Sequence, residues 1–313
     1  MKQPLAVGCL FSLFCHSSLF AVDSPREAAA GMHYVTPAFD EEEQDYVVMQ
    51  EEDLLVDNAA EPSSNQPPLH PPQTVHQVKS TAILDFRVQI GGNYTWVSIH
   101  PHEHTTFTGN LGGAQGLFEY KPIDCFYGAV KLAWREGQTT GPAGRRSLLY
   151  IDTQERLGYT LGLFGDDLLL TGFTGLGYRY LGHDLHPKHG SSVQFDYNEI
   201  YVPVGAIADY AVNSWFAIGV GFTWMPQVYP TVKIVPLKGA RWIITDQLAN
   251  FYVEMPCTFT LTDSKQFAIV VNPFYEYWRD GHSTAKTSNG VHLGLPGNTY
   301  NFGGVDVNFM YSF

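Results

Sequence analysis

Residues 300–313 read YNFGGVDVNFMYSF. From position 305 the odd residues are Val305, Val307, Phe309, Tyr311 and Phe313, and the even ones beside them are Asp306, Asn308, Met310 and Ser312. Period-two alternation of this kind predicts a strand with one apolar and one polar face. It runs to the final residue and ends on an aromatic, whereas chain ends of soluble domains are usually polar and frayed.

Working back from that strand, the same alternation recurs. We read ten strands: 84–98, 106–120, 125–136, 148–163, 168–181, 193–209, 215–229, 248–261, 266–279 and the terminal one. Each is long enough to cross a bilayer, which takes about 9–11 tilted residues. In strand seven, Phe216, Ile218, Val220, Phe222 and Trp224 alternate with Ala217, Gly219, Gly221 and Thr223. In strand four, Glu155 interrupts the apolar face otherwise formed by Leu149, Ile151, Leu157, Tyr159 and Leu161. No stretch of useful length has helical periodicity.

The connections fall into two kinds. KPID, GDD, VNS and TDSK are short and carry tight-turn residues. The others, 100–105, 137–147, 182–192, 230–247 and 280–299, are longer and alternate with the short ones. A soluble sandwich has no reason to sort loop length by parity, but a membrane barrel has short periplasmic turns and longer outer loops. Trp96, Trp134, Trp224, Tyr120, Phe126, Phe216, Phe267 and Phe313 fall on the expected outward faces, where aromatics form interfacial girdles. The expected fold is therefore all-β: a closed antiparallel transmembrane β-barrel of about ten strands, over residues 81–313.

The terminal stretch resembles the C-terminal signal of Gram-negative outer-membrane β-barrel proteins. In that family Phe is typically last and apolar residues precede it at every second position. The resemblance implies that the barrel-insertion machinery reads Val305, Val307, Phe309, Tyr311 and Phe313. The cysteine-bearing leader, the acidic segment after it and the hairpin LFEYKPIDCFYGAVKLAWREG at 117–137 resemble chlamydial outer-membrane proteins.

The other end of the chain agrees. Lys2 precedes an apolar run from Leu5 to Phe14, and a small-residue site follows near Ala21. That is the layout of a secretory signal peptide over 1–21. Residues 22–80 carry twelve acidic side chains against two basic ones, which accounts for most of the net charge of −13, and then prolines at 62, 67, 68, 71 and 72. This composition predicts a disordered, acidic, proline-rich lead. With an even number of strands, the lead and the C-terminus both fall on the periplasmic side of an outer membrane.

Chemistry is less legible. His100, His102 and His104 form HPHEH, and His183, His186 and His189 form HDLHPKH, all in expected outer loops, with His282 and His292 in the fifth. Neutral imidazole is the commonest ligand for divalent transition metals, so these clusters are candidate metal ligands, with Glu103 and Asp184 as further donors. No other cofactor is implied. Cys125 and Cys257 persist beyond the leader and are a candidate disulfide. Arg87, Lys131, Arg135, Asp152, Arg156, Glu199, Glu254 and Glu276 are expected to face the lumen, where opposite charges fill a narrow barrel.

The readings of function are three. A binding, adhesion or structural role on the outer loops, toward an extracellular or host ligand, is preferred. A narrow small-solute channel is the alternative. A surface protease is the third: omptins resemble this chain in strand number, and His183–Asp184 and Asp280–His282 echo their Asp–His pair, but no segment reproduces the omptin motifs. We expect no enzyme activity. The expected partners are outer-membrane lipid and the insertion machinery. The acidic chain lacks a basic stripe, so nucleic acid is not expected.

Overall fold

The computed structural model describes residues 85–101, 106–164, 167–235, 241–243, 249–286 and 292–313. The expected leader, the acidic lead and its boundary with the barrel, and His102, Glu103, His104 and Asp166, lie outside these residues.

The described chain is a closed antiparallel barrel of ten strands. Strands one to five are single segments: Phe86–Pro101, Phe107–Tyr120, Cys125–Gly141, Gly144–Leu163 and Leu168–Pro187. Strand six is Val193–Tyr201 with Val204–Ala211, and strand seven is Phe216–Trp224 with Thr231–Val235. Strand eight comprises Arg241–Ile243, Phe251–Glu254 and Cys257–Thr260. Strand nine is Phe267–Asp280, strand ten is Asn298–Ser312, and Ser283–Lys286 pairs with His292–Leu295 beyond them. Each strand pairs with its sequence neighbours, and strand ten closes the ring on strand one with Arg87 opposite Ser312 and Pro101 opposite Asn298. Closure leaves no edge, so every backbone group can find a partner inside a membrane.

Proline accounts for the breaks in strands six and seven and for the break at 255–256 in strand eight. Pro203 follows Val202, Pro226 and Pro230 interrupt strand seven, and Pro256 follows Met255. Proline has no N–H to give a ladder. Local bonds repair the gaps: Val202 N–H donates to Pro226 O at 3.0 Å and Gly219 N–H to Pro256 O at 2.7 Å.

Three expected outer loops are corrected. Residues 137–147 are mostly strand, with Gly141 opposite Gly144 across the two-residue turn Pro142–Ala143. Strand five continues to Pro187, through the first half of the expected loop 182–192, and Thr231–Val235 belongs to strand seven. These segments rise past the apolar belt, where both faces can be polar. The apolar alternation that marks a lipid-facing strand is therefore missing from them.

The two faces differ as the period-two pattern requires. Ile90, Leu132, Leu157, Val220, Val307 and Phe309 are exposed on the outside, at 68%, 51%, 45%, 56%, 52% and 50%. Trp134 and Tyr178 mark one end of this belt, and Phe126 and Tyr159 the other. At the end where strand one begins and strand ten finishes, Phe86 and Phe313 stack with ring centroids 5.6 Å apart.

Candidate functional site: the filled lumen and the far rim

The lumen is packed in layers. The structure turns all seven charged residues Arg87, Lys131, Arg135, Asp152, Arg156, Glu199 and Glu276 inward and buries them, and the Glu254 side chain keeps 12% of its surface. At the end holding the C-terminus, Arg87 Nη2 lies 3.0 Å from Glu119 Oε2, and Lys121 pairs with Asp209. Above them Glu254 sits between Lys131 Nζ at 3.8 Å and Arg156 Nη1 at 3.9 Å. A vestibule of ≈ 80 Å³ lies here, room for a few waters, lined by Gln115, Asn272 and Asn308 among others.

The middle layer is held by Glu276. It accepts from Arg135 Nη1 at 2.8 Å, and from Tyr150 Oη and Trp278 Nε1. Beside it Tyr201 Oη donates to Asp152 Oδ1 at 2.6 Å. The Tyr201 ring fits because position 177 is glycine: a Cβ there would lie 2.2 Å from the ring. Arg135 lies between the rings of Tyr150 and Phe274, at 4.8 and 4.6 Å from their centroids. A buried guanidinium stacked on aromatics and paired to a carboxylate is compensated on every side.

The layer at the far end is aromatic and apolar. Trp278, Tyr300, Phe302, Tyr197, Leu181, Val97 and Ile99 are fully or almost fully buried and form one cluster. Arg179 lies 4.2 Å from the Trp278 ring centroid and donates to Glu199 Oε2 at 2.8 Å. Gln227 Nε2 donates to the same oxygen at 2.9 Å. The inward side chains thus meet across the barrel in salt bridges below and rings above. Sequence reasoning missed Glu119, Lys121, Arg179, Asp209 and Asp306 as lumen groups. Inward parity on their strands was the available signal for Glu119, Arg179, Asp209 and Asp306, whereas Lys121 follows strand two in the turn.

The histidines do not gather as expected. His100 is the penultimate residue of strand one, exposed, and bonded to Ser98 Oγ at 2.9 Å and Thr106 Oγ1 at 3.0 Å. His183 and His186 belong to strand five rather than a loop. His183 is buried in the lumen against Tyr197 and Tyr300, while His186 is exposed and bonds Ser192 Oγ at 3.0 Å. The intervening parity sends their side chains to opposite faces, so they do not converge. His189 is exposed. Among the described residues no three His, Cys, Asp or Glu side chains are grouped to hold a metal ion.

The Asp–His pairs are also divided. Asp184 is exposed on the face opposite His183, and Asp280 is the buried last residue of strand nine while His282 is exposed. Cys125 and Cys257 are free thiols. They lie on strands three and eight, five ladder steps apart in either direction round ten strands, hence on opposite walls. A disulfide needs Cα atoms within about 7 Å.

No family model and no curated protein matches the sequence. Solved structures do. The outer membrane protease OmpT from Escherichia coli superposes with a TM-score of 0.52 at 11% identity, over 73% of this chain and 96% of that one. This chain has the fold of the Gram-negative outer-membrane β-barrels. The translocator domain of the autotransporter NalP from Neisseria meningitidis is a more distant match, with a TM-score of 0.40 at 11% identity over 73% of this barrel's chain and 88% of its own. The Pseudomonas putida toluene transporter TodX matches with a TM-score of 0.39 at 8% identity, over 73% and 90%.

Proposed function

We propose that this barrel sits in an outer membrane as a closed scaffold and acts through its far rim, as a binding or adhesion surface for an extracellular ligand. The observation that carries this reading is the filled lumen: Glu276, held by Arg135, Tyr150 and Trp278, and the aromatic layer above it pack side chains across its middle. The far rim is also built up. Strands three, four and five run 17, 20 and 20 residues, against the roughly 10 needed to span. The excess lifts Arg145, Asp184, His186, Lys188 and His189 clear of the apolar belt, all exposed. A shallow depression of ≈ 240 Å³ lies there between Gln138, Arg145, Ser147 and His186. Both described ends of the barrel chain lie at the other mouth, and an even strand number with short turns on that side supports a periplasmic setting for it.

Planar-bilayer recording on the refolded full chain tests the closed lumen. Silence is expected, and discrete salt-dependent openings would favour a small-solute channel instead. The rim is tested by replacing residues 185–192 with a glycine–serine turn in surface-expressing cells. Adhesion to host cells should fall while the heat-modifiable gel shift of the folded barrel is kept.

A further inference from the structure

In the far layer of the lumen, side chains from four strands meet around Asp280. Glu199 comes from strand six, Gln227 from the bend in strand seven, Asp280 from the end of strand nine and Tyr300 from strand ten. They are 0%, 8%, 2% and 0% exposed. Asn250 on strand eight sets two of them level. Its backbone oxygen takes the Met225 N–H at 2.9 Å, and its Oδ1 takes the Arg279 N–H at 2.8 Å. Gln227 and Asp280 therefore arrive at similar height from either side of strand eight. Pro226 and Pro230 break strand seven there, and Val228 N–H donates to Ile200 O at 2.7 Å, which holds the bend against strand six beside Glu199.

The polar atoms of this cluster are unevenly matched. Glu199 Oε2 accepts from Arg179 Nη1 and from Gln227 Nε2. Glu199 Oε1, Asp280 Oδ1 and Oδ2, Gln227 Oε1 and Tyr300 Oη make no hydrogen bond among the described residues. Glu199, Gln227 and Tyr300 come close enough to the Asp280 carboxylate to act on its charge, but without the distance and angle of a hydrogen bond. An ionised carboxylate and an amide oxygen only accept, so the Tyr300 hydroxyl is the one donor among these five oxygens. The rest of the Arg179 guanidinium is turned to rings: it lies 4.2, 5.3 and 5.6 Å from the centroids of Trp278, Tyr300 and Tyr150.

Charge is unbalanced in the same sense. Two carboxylates, Glu199 and Asp280, face one guanidinium, Arg179. The other cation of this end, Arg146, is stacked 4.1 Å from the Phe107 ring centroid. One negative charge is left over in a layer dominated by aromatic and aliphatic side chains, where an uncompensated charge is costly. Excess acceptors and a single excess negative charge together fit a small cation. The donor atoms are all oxygen, which suits a hard cation over a transition metal. A divalent ion would leave a positive excess beside Arg179, whereas a monovalent one balances the layer.

We propose that Asp280, Glu199, Gln227 and Tyr300 bind one alkali cation, sodium or potassium, in the far layer of the lumen. No third acid is needed, because an amide and a phenol oxygen complete the set. The ion joins strand six and the bend of strand seven to strands nine and ten, with which they share no ladder. This goes beyond the rim function and stands without it, because it concerns the interior alone.

The test is urea unfolding of the refolded full chain in an uncharged detergent at fixed pH. Sodium or potassium chloride is exchanged against choline chloride at constant ionic strength. One site present only in the folded barrel raises the folded-to-unfolded ratio about tenfold for each tenfold rise in cation above its dissociation constant. At least one of the two ions should give that slope. Asp280→Asn, which keeps the shape and removes the charge, should flatten it. Gln227→Leu, which keeps both carboxylates, should shift its onset to higher cation concentration, and it serves in place of Asp280→Asn if that variant does not refold. A flat response of the unaltered barrel to both ions would overturn the proposal, since a proton shared by Glu199 and Asp280, or water alone, would then serve these oxygens. A slope kept in Asp280→Asn, an onset unmoved by Gln227→Leu, or a rise with calcium chloride alone would overturn it as well. The comparison with choline needs no variant, so it stands whether or not the variants fold.

Discussion

Arg135 Nη1 donates to Glu276 Oε2 at 2.8 Å across the lumen, between strands three and nine, which share no ladder. The bond ties opposite parts of the wall through the interior. Each side chain is almost wholly removed from water, at 2% and 4% exposure.

Removing one partner of this pair strands the other. Glu276→Ala leaves a buried guanidinium without its carboxylate and frees the Tyr150 hydroxyl and the Trp278 N–H. We expect a loss of about 3–5 kcal/mol, and recovery of most of it in Arg135→Met with Glu276→Leu. Urea unfolding of the refolded barrel in micelles measures both. An unchanged midpoint for Glu276→Ala would refute the bridge.

His183 gives a pH dependence. The outward belt of strand five ends at Tyr178, so His183, five residues further on, lies beyond the membrane. Burial, then the nearby Arg146 and Arg179 charges, hold its imidazole well below the ordinary value. The unfolded chain takes up a proton below about pH 6.5, and the folded barrel does not. The contribution is therefore complete above that pH and is lost as pH falls. Between pH 7 and pH 5 the barrel should lose about 2 kcal/mol more than His183→Phe does. Parallel urea midpoints for the two proteins across that range would show that the site stays protonatable.

Phe313 has a packing role in the structure, and the recognition role that we propose for it can be separated from that. Its ring stacks on Phe86 and its N–H donates to Phe86 O at 3.0 Å, at the seam between strands ten and one. In detergent refolding, Phe313→Ala should cost about 1 kcal/mol, the value of an aromatic pair. In cells the folded, heat-modifiable fraction should fall further if the insertion machinery reads this terminal aromatic, as we propose. Equal losses in the two settings would count against a recognition role.

The two thiols should stay separate. Diagonal gels with and without reductant should show no intramolecular link between Cys125 and Cys257, because the barrel wall holds them on opposite sides. A reducible mobility change that survives dilution would mean the strand order is wrong.

Strand membership and facing are legible in the sequence because a barrel in lipid imposes one strict rule. Each position faces hydrocarbon or lumen, and a slip by one residue would exchange the two. Phe309 and Met310, or Leu132 and Lys131, cannot trade places, so the alternation survives in the residues themselves. Past the belt the rule lapses. Gln138, Thr139, Thr140, Arg145 and Arg146 read as a loop and yet form strand, since water tolerates polar groups on both faces. His183 and His186 likewise read as one cluster and lie on opposite faces.

Lumen pairing is legible only in part. Parity turns Arg135 and Glu276 inward, but they are 141 residues apart, and which inward charge meets which depends on barrel circumference and strand stagger, quantities that no local pattern encodes. The same closure sets Cys125 opposite Cys257 and brings Tyr201 over Gly177. Local chemistry dictates the faces of the wall, and the three-dimensional ring dictates who meets inside it.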